Sequence, residues 1–246
     1  MKKIKIFAFL FLATGLACFS QEENLKEREK QAAFNPTNTS FAKKEISYIT
    51  LKNGDKIEGY IKGIGWKKGQ VKEVVFEVSG EKKKKIPASE ISELYALPSK
   101  FGQLSKMDSY FSDATKWGNQ DVSDVVNKGY TCYTIQKVSL KNKKAEQEFL
   151  MQLVNPRFSK EISVFSDPWA KKTSSIGVGS LKLAGGIAKS YYLKKGDKMI
   201  WITKGNFMDY FEDLFYDNDK FKTKYSERKI KWSLLGVYIL DYTEFS

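Results

Sequence analysis

Between Ile46 and Tyr95 turn residues cut the chain into short runs, and that punctuation restricts its fold more than any other feature. Ile46, Tyr48 and Thr50 set a period of two with polar neighbours, and Asn53-Gly54-Asp55 supplies a tight hairpin turn. Ile57, Gly59 and Ile61 continue a second strand, and Val71 to Val78 form a third. Ser79-Gly80 then turns the chain into a lysine-rich strand ending at Ile86, closed by Pro87-Ala88-Ser89. Ile91, Leu94 and Tyr95 supply a last short element. This spacing predicts a small twisted barrel, SH3-like or Sm-like, over residues 45–97.

Residues 98–128 read as an irregular connector, with Phe101, Tyr110, Phe111 and Trp117 as isolated anchors. Strands resume from Gly129: Tyr130–Leu140, Phe149–Val154 and Ile162–Phe165, the last stopped by Asp167-Pro168. A glycine-rich stretch from Ile176 to Gly186 precedes a hairpin in which Tyr191–Leu193 and Met199–Ile202 flank Lys195-Gly196-Asp197. Phe207, Tyr210, Phe211, Leu214 and Phe215 then recur at helical spacing behind Asn206, a candidate cap. Asp217-Asn218-Asp219 ends that helix and caps another through Phe221 and Tyr225, and Trp232 to Tyr242 is a final packed helix or strand. The expected fold class is α+β and β-rich: a barrel followed by an antiparallel-sheet unit, residues 129–246, with C-terminal helices.

The first twenty residues have the form of a secretory signal. Lys2, Lys3 and Lys5 precede an uncharged run from Ile6 to Ala17, shorter than the roughly 18 residues a spanning helix needs. Cleavage after Ser20 fits better than a lipid anchor on Cys18, because Gly15 holds the position where a lipobox places leucine. Removal of residues 1–20 takes three lysines and no acid, lowering the formal charge from +13 to +10. It also leaves Cys132 as the one cysteine, so burial without a disulfide has to hold the fold. Residues 21–44 read as a tether, and no later segment is apolar enough to span a membrane. The expected location is exported: periplasmic, outer-membrane-associated or secreted.

The run Tyr48-Ile49-Thr50-Leu51-Lys52-Asn53-Gly54-Asp55-Lys56-Ile57-Glu58-Gly59 resembles part of a group of uncharacterised exported proteins common in Bacteroidota. Phe149 to Pro156, Tyr191 to Asp197, the Phe207–Phe215 helix and the signal ending Phe19-Ser20-Gln21 carry the same resemblance. It covers most of residues 45–230, and its motifs are turn and core patterns. It implies a small envelope-associated module and brings no activity, cofactor or catalytic residue.

The chain contains no histidine, which excludes Ser-His-Asp and Cys-His nucleophile pairs, His-ligated zinc and imidazole general bases. A calcium loop starting at Asp217 fails, since its twelfth position is Arg228. Asp209 and Asp213 lie one helical turn apart, where a solvated face is the ordinary explanation. Ser40-Phe41-Ala42-Lys43 and Ser79-Gly80-Glu81-Lys82 spell S-x-x-K without a helix start, and Gly177-Val178-Gly179 falls short of a nucleotide-binding fingerprint. No catalytic residue, metal site or cofactor is assigned.

Lys82-Lys83-Lys84-Lys85 is the leading binding candidate, with Trp66 and Trp169, in turn-like contexts, as sugar-stacking candidates. Strand alternation would send two of the lysines to each face, which argues for a sheet edge or projecting hairpin. The expected function is a non-enzymatic exported module that binds an envelope protein, an anionic lipid or a polysaccharide surface. A carboxylate-based hydrolase of envelope polymers and a carbohydrate-binding module are the alternatives. Export and the lack of an aromatic RNP motif argue against nucleic acid.

Overall fold

A computed structural model describes residues 25–99, 129–142, 145–170 and 188–246. The signal segment with Cys18, the connector over 100–128 and the glycine-rich stretch 176–186 lie outside the described residues. Seven strands form one antiparallel sheet: β1 (Ile46–Leu51), β2 (Lys56–Lys67), β3 (Gln70–Glu77), β4 (Lys84–Pro87), β5 (Ile91–Ala96), β6 (Thr131–Ser139) and β7 (Glu146–Gln152). Their order is β4-β3-β2-β1-β5-β6-β7. The sheet curls into a half-barrel until β3 and the 3-10 turn Ala88–Glu90 approach β7. A second sheet, ordered β10-β9-β8, comprises β8 (Ile162–Ser166), β9 (Ser190–Lys195) and β10 (Lys198–Thr203). Three helices follow: α1 (Phe207–Phe215), α2 (Asp219–Tyr225) and α3 (Leu235–Phe245). The chain is therefore β-rich α+β, as its patterning predicts.

Three apolar cores stack in layers. Inside the curl lie Ile49, Ile61, Val74, Phe76, Ile91, Leu94, Tyr133 and Leu150. Between the sheets, Cys132, Val138 and Met151 of the first meet Phe165 and Tyr192 of the second. Alternation sends the next residues of β8 and β9, Val164, Tyr191 and Leu193, the other way onto the helices. There Phe207, Phe211, Phe215, Phe221 and Tyr238 build an aromatic core, with Phe215 and Phe221 stacked at 4.9 Å between centroids.

The helix stripe predicted over Phe207–Phe215 forms α1 and buries Phe207, Phe211, Leu214 and Phe215. Its cap differs. The Asn206 carboxamide turns back onto β10, accepting from the Thr203 backbone N–H at 2.6 Å and donating to the Trp201 carbonyl at 3.3 Å. Asn218 does cap α2, accepting from Phe221 N–H at 3.0 Å.

Three other expectations change. First, the sheet runs across the expected boundary between 45–97 and 129–246, because β5 pairs with β6 (Leu94 opposite Tyr133). Second, the inward face of β1 is Ser47 and Ile49, while Tyr48 points outward. A shift of one residue in strand phase reverses every side chain, and the Ile49–Ile57 pairing sets the phase.

Third, the expected tether is packed over residues 25–42. A helical turn over 25–31 leads into Ala32, buried against α3, where a side chain on Gly236 would collide with the Ala32 carbonyl. Phe34 packs at 5.1 Å on Tyr191, and Asn35 N–H donates to the Val154 carbonyl at 2.6 Å. The buried Asn38 side chain then donates to Thr131 Oγ1 at 2.9 Å, its backbone carbonyl accepts from Tyr133 OH at 2.6 Å, and its backbone N–H donates to Gln152 Oε1 at 2.9 Å. Phe41 closes the strap in the half-barrel core. These bonds satisfy polar groups that burial would otherwise strand at a cost of about 1–3 kcal/mol each.

Candidate functional site

The β3–β4 hairpin owes its exposure to its place in the sheet. β4 is an edge strand, Phe76 faces Lys84 and Val75 faces Lys85 across the ladder. Lys82 and Lys83 precede the strand, so the expected two-and-two division between faces applies only to Lys84 and Lys85. All four are exposed. Lys84 pairs with Glu81 at 2.9 Å and Lys85 with Glu73 at 3.4 Å, whereas Lys82 and Lys83 have no ion-pair partner among the described residues.

Strand register adds further lysines to the same end. Ile46 lies opposite Tyr60, and Tyr60 opposite Glu77, so β1 begins where β3 ends and β4 starts. Lys43 and Lys44, separated from β1 by Glu45, therefore stand at this end. Lys62 Nζ donates to the Lys43 carbonyl at 3.4 Å while paired with Glu77 at 3.1 Å. The result is a lysine-bordered rim in which Lys43, Lys44, Lys82 and Lys83 carry charge uncommitted to an ion pair. Lys43-Lys44 and Lys82-Lys83 flank strands three spacings apart, about 14 Å, so they form two basic points along one sheet end, each attracting phosphate or carboxylate at ranges limited by salt to about 8–10 Å.

The two tryptophans join neither the rim nor each other. Trp66 lies in β2 opposite Val71, half-buried against the half-barrel core, and not in a turn. The bulge at Gly65/Trp66 and the following Lys67-Lys68-Gly69 turn explain the turn-like sequence. Gly69 has φ +78° and lies against the Pro168 carbonyl, where a side chain would clash. Trp169 packs against the core between the sheets, its backbone N–H donating to Asp167 Oδ1 at 2.8 Å. The same carboxylate accepts from Ser190 Oγ at 2.6 Å and Trp201 Nε1 at 2.9 Å, which makes Asp167 a structural pin.

Asp209, Glu212 and Asp213 line the exposed face of α1. A groove of about 330 Å³ lies between the strap, β9 and the start of α3, walled by Phe34, Val154, Tyr191 and Val237. Glu29 is the one carboxylate on its lining, so it offers no carboxylate pair for acid–base work. Among the described residues no group of three or more Cys, Asp or Glu is placed to hold a metal ion. Burial pushes the Cys132 thiol up to about 12, which keeps it a thiol at neutral pH.

The most heavily committed charge is one that sequence reasoning passed over. Asp241 sits on α3 with its side chain 1% exposed. It accepts from Lys224 Nζ at 2.6 Å, from Tyr225 OH and from Arg28 of the strap, whose guanidinium also reaches Glu244 at 2.7 Å. Burial pushes its pKa up, but the bonds from Lys224, Tyr225 and Arg28 outweigh it and hold the carboxyl below its ordinary value. One acid inside the apolar run from Leu234 to Tyr242 was the available signal.

Comparison with protein-family models, with curated proteins and with solved structures returns no match. Among the described residues no helix is long and apolar enough to cross a membrane.

Proposed function

We propose that this chain is an exported, non-enzymatic binding module of the bacterial envelope, and that the lysine rim at the β3–β4 end of the half-barrel engages an anionic, phosphate-bearing surface. The observation that carries the reading is the collection of Lys43, Lys44, Lys82 and Lys83 at one sheet end without ion-pair partners. An edge strand bearing lysines also resists pairing with another sheet, and that role alone would account for Lys84 and Lys85. It does not account for Lys43 and Lys44, which precede β1. The basic start, the apolar run to Ala17 and the Ser20-Gln21 junction support export, with Cys18 as an alternative point of attachment. Within the curled sheet, the order β4-β3-β2-β1-β5 with a 3-10 turn before β5 supports an SH3-like reading of the first five strands.

Cosedimentation tests this. Vesicles carrying anionic phospholipid, and separately lipopolysaccharide, should retain the protein at low salt and release it as ionic strength rises. Replacing Lys82, Lys83, Lys84 and Lys85 by glutamine should reduce retention on whichever surface holds the native chain. Equal retention of the variant would overturn the proposal.

A further inference from the structure

The outer face of the curled sheet is covered unevenly. Over β6 and β7 it lies under the second sheet, where Cys132 and Met151 are buried. That cover does not reach Tyr48 on β1, which is 38% exposed. Tyr48 is directly opposite Tyr95 on β5 and Glu58 on β2, so the three share one face, with Cβ atoms of opposed pairs about 5 Å apart. Tyr130 backs the arrangement: its ring lies 5.8 Å from Tyr48 at 45°, and its hydroxyl is held by the Ile46 carbonyl at 3.0 Å. Burial first, and Tyr48 next, push the Tyr130 phenol up to about 12, so it stays neutral. Glu93, the residue before Leu94, receives the Tyr95 hydroxyl at 3.3 Å.

We propose that Tyr48, backed by Tyr130 and flanked by Tyr95 and Glu58, is a stacking platform for an uncharged sugar unit of a polysaccharide. An exposed ring braced by other rings offers a flat apolar surface to the C–H face of a pyranose, and adjacent carboxylate and phenol oxygens hydrogen-bond its hydroxyls. Charge selects this occupant. Glu58, exposed, directly opposite Tyr48 and without an ion pair among the described residues, disfavours an anionic group above Tyr48. A polycation is disfavoured by the net charge, +10 once residues 1–20 are removed. A bilayer is disfavoured because entry of Tyr48 would desolvate Glu58 beside it. A hydroxyl-rich neutral ligand meets none of these costs. The site borders the lysine rim, Glu45 following Lys44 directly, but does not depend on Lys82 or Lys83.

Native gel electrophoresis of the full chain in gels containing dissolved mixed-linkage β-glucan, galactomannan or pullulan tests the platform. At least one polysaccharide should slow the native chain relative to a plain gel. Tyr48→Ala should weaken that retardation about tenfold, the scale of a central aromatic anchor. Tyr48→Phe, which keeps the ring, should preserve it, as should Lys82→Gln with Lys83→Gln. Unchanged mobility and melting of Tyr48→Ala without polysaccharide checks its fold. Absence of retardation in all three gels, or retardation that Tyr48→Ala leaves intact, would overturn the proposal. Retardation by poly-lysine in place of the neutral polymers would also overturn it.

Discussion

Asp241 and the lysines from Lys82 to Lys85 are both concentrations of charge, and they sit in opposite environments. The Asp241 carboxylate is 1% exposed, with two cations and a phenol directed at it from the strap and α2. The Lys84 and Lys85 side chains are 70% and 72% exposed, each on one carboxylate, and Lys82 and Lys83 stand on none. A charge removed from water has to be fully answered by partners, so Asp241 is tied to the fold. A charge left in water contributes little to stability and stays available to a ligand. The contrast separates the residues that hold this molecule together from those free to act outside it.

The largest effect should come from the buried side of the comparison. Asp241→Ala strips Lys224 of its anion and leaves Arg28 with Glu244 alone, and should cost about 3 kcal/mol in urea unfolding, the lower end for a broken buried pair because both cations are partly exposed. A loss below about 1 kcal/mol would show that water already reaches the node.

Acid titration sharpens the same point. Because the folded pKa of Asp241 lies below its ordinary value, its stabilisation is complete above about pH 5. It is then lost as pH falls through 3.8 toward the folded value. Urea midpoints followed from pH 7 to pH 3 should drop steeply for the native chain and more shallowly for Asp241→Asn. Parallel curves would remove Asp241 from the acid response. Asp217, bonded by Lys195 at 2.7 Å and Tyr242 at 3.0 Å, is also depressed but is 57% exposed, so its share should be minor.

The smallest effect should come from the exposed side: glutamine at all four lysines should change stability by no more than about 0.5 kcal/mol per site.

Legibility in the sequence follows the range of the interactions. Local devices were readable: the Asn53-Gly54-Asp55 turn, the Lys195-Gly196-Asp197 hairpin, the Phe207–Phe215 stripe and the Asn218 cap are each set by neighbours a few residues away. The pairing of β5 with β6 joins residues that lie 35 to 41 apart, and no local pattern announces it. The strap misled because Asn35-Pro36-Thr37-Asn38-Thr39-Ser40 has loop composition, while its polar atoms answer buried groups on β6 and β7 more than 90 residues on. Exposure of Lys82–Lys85 was legible, since four consecutive lysines have few buried solutions. The outward phase of Tyr48 was not, because Ser47 and Ile49 support either reading until Ile57 is paired opposite Ile49.

The central claim is that charge at the β3–β4 end serves a partner and not the fold. One measurement addresses both halves: the Lys82–Lys85 glutamine variant, shown to be folded by its urea midpoint, is cosedimented beside the native chain with anionic and with zwitterionic vesicles and with lipopolysaccharide. The account predicts a nearly native midpoint with retention lost on the anionic surface that holds the native chain. A variant that stays bound, or one that unfolds several kcal/mol more easily, would contradict it.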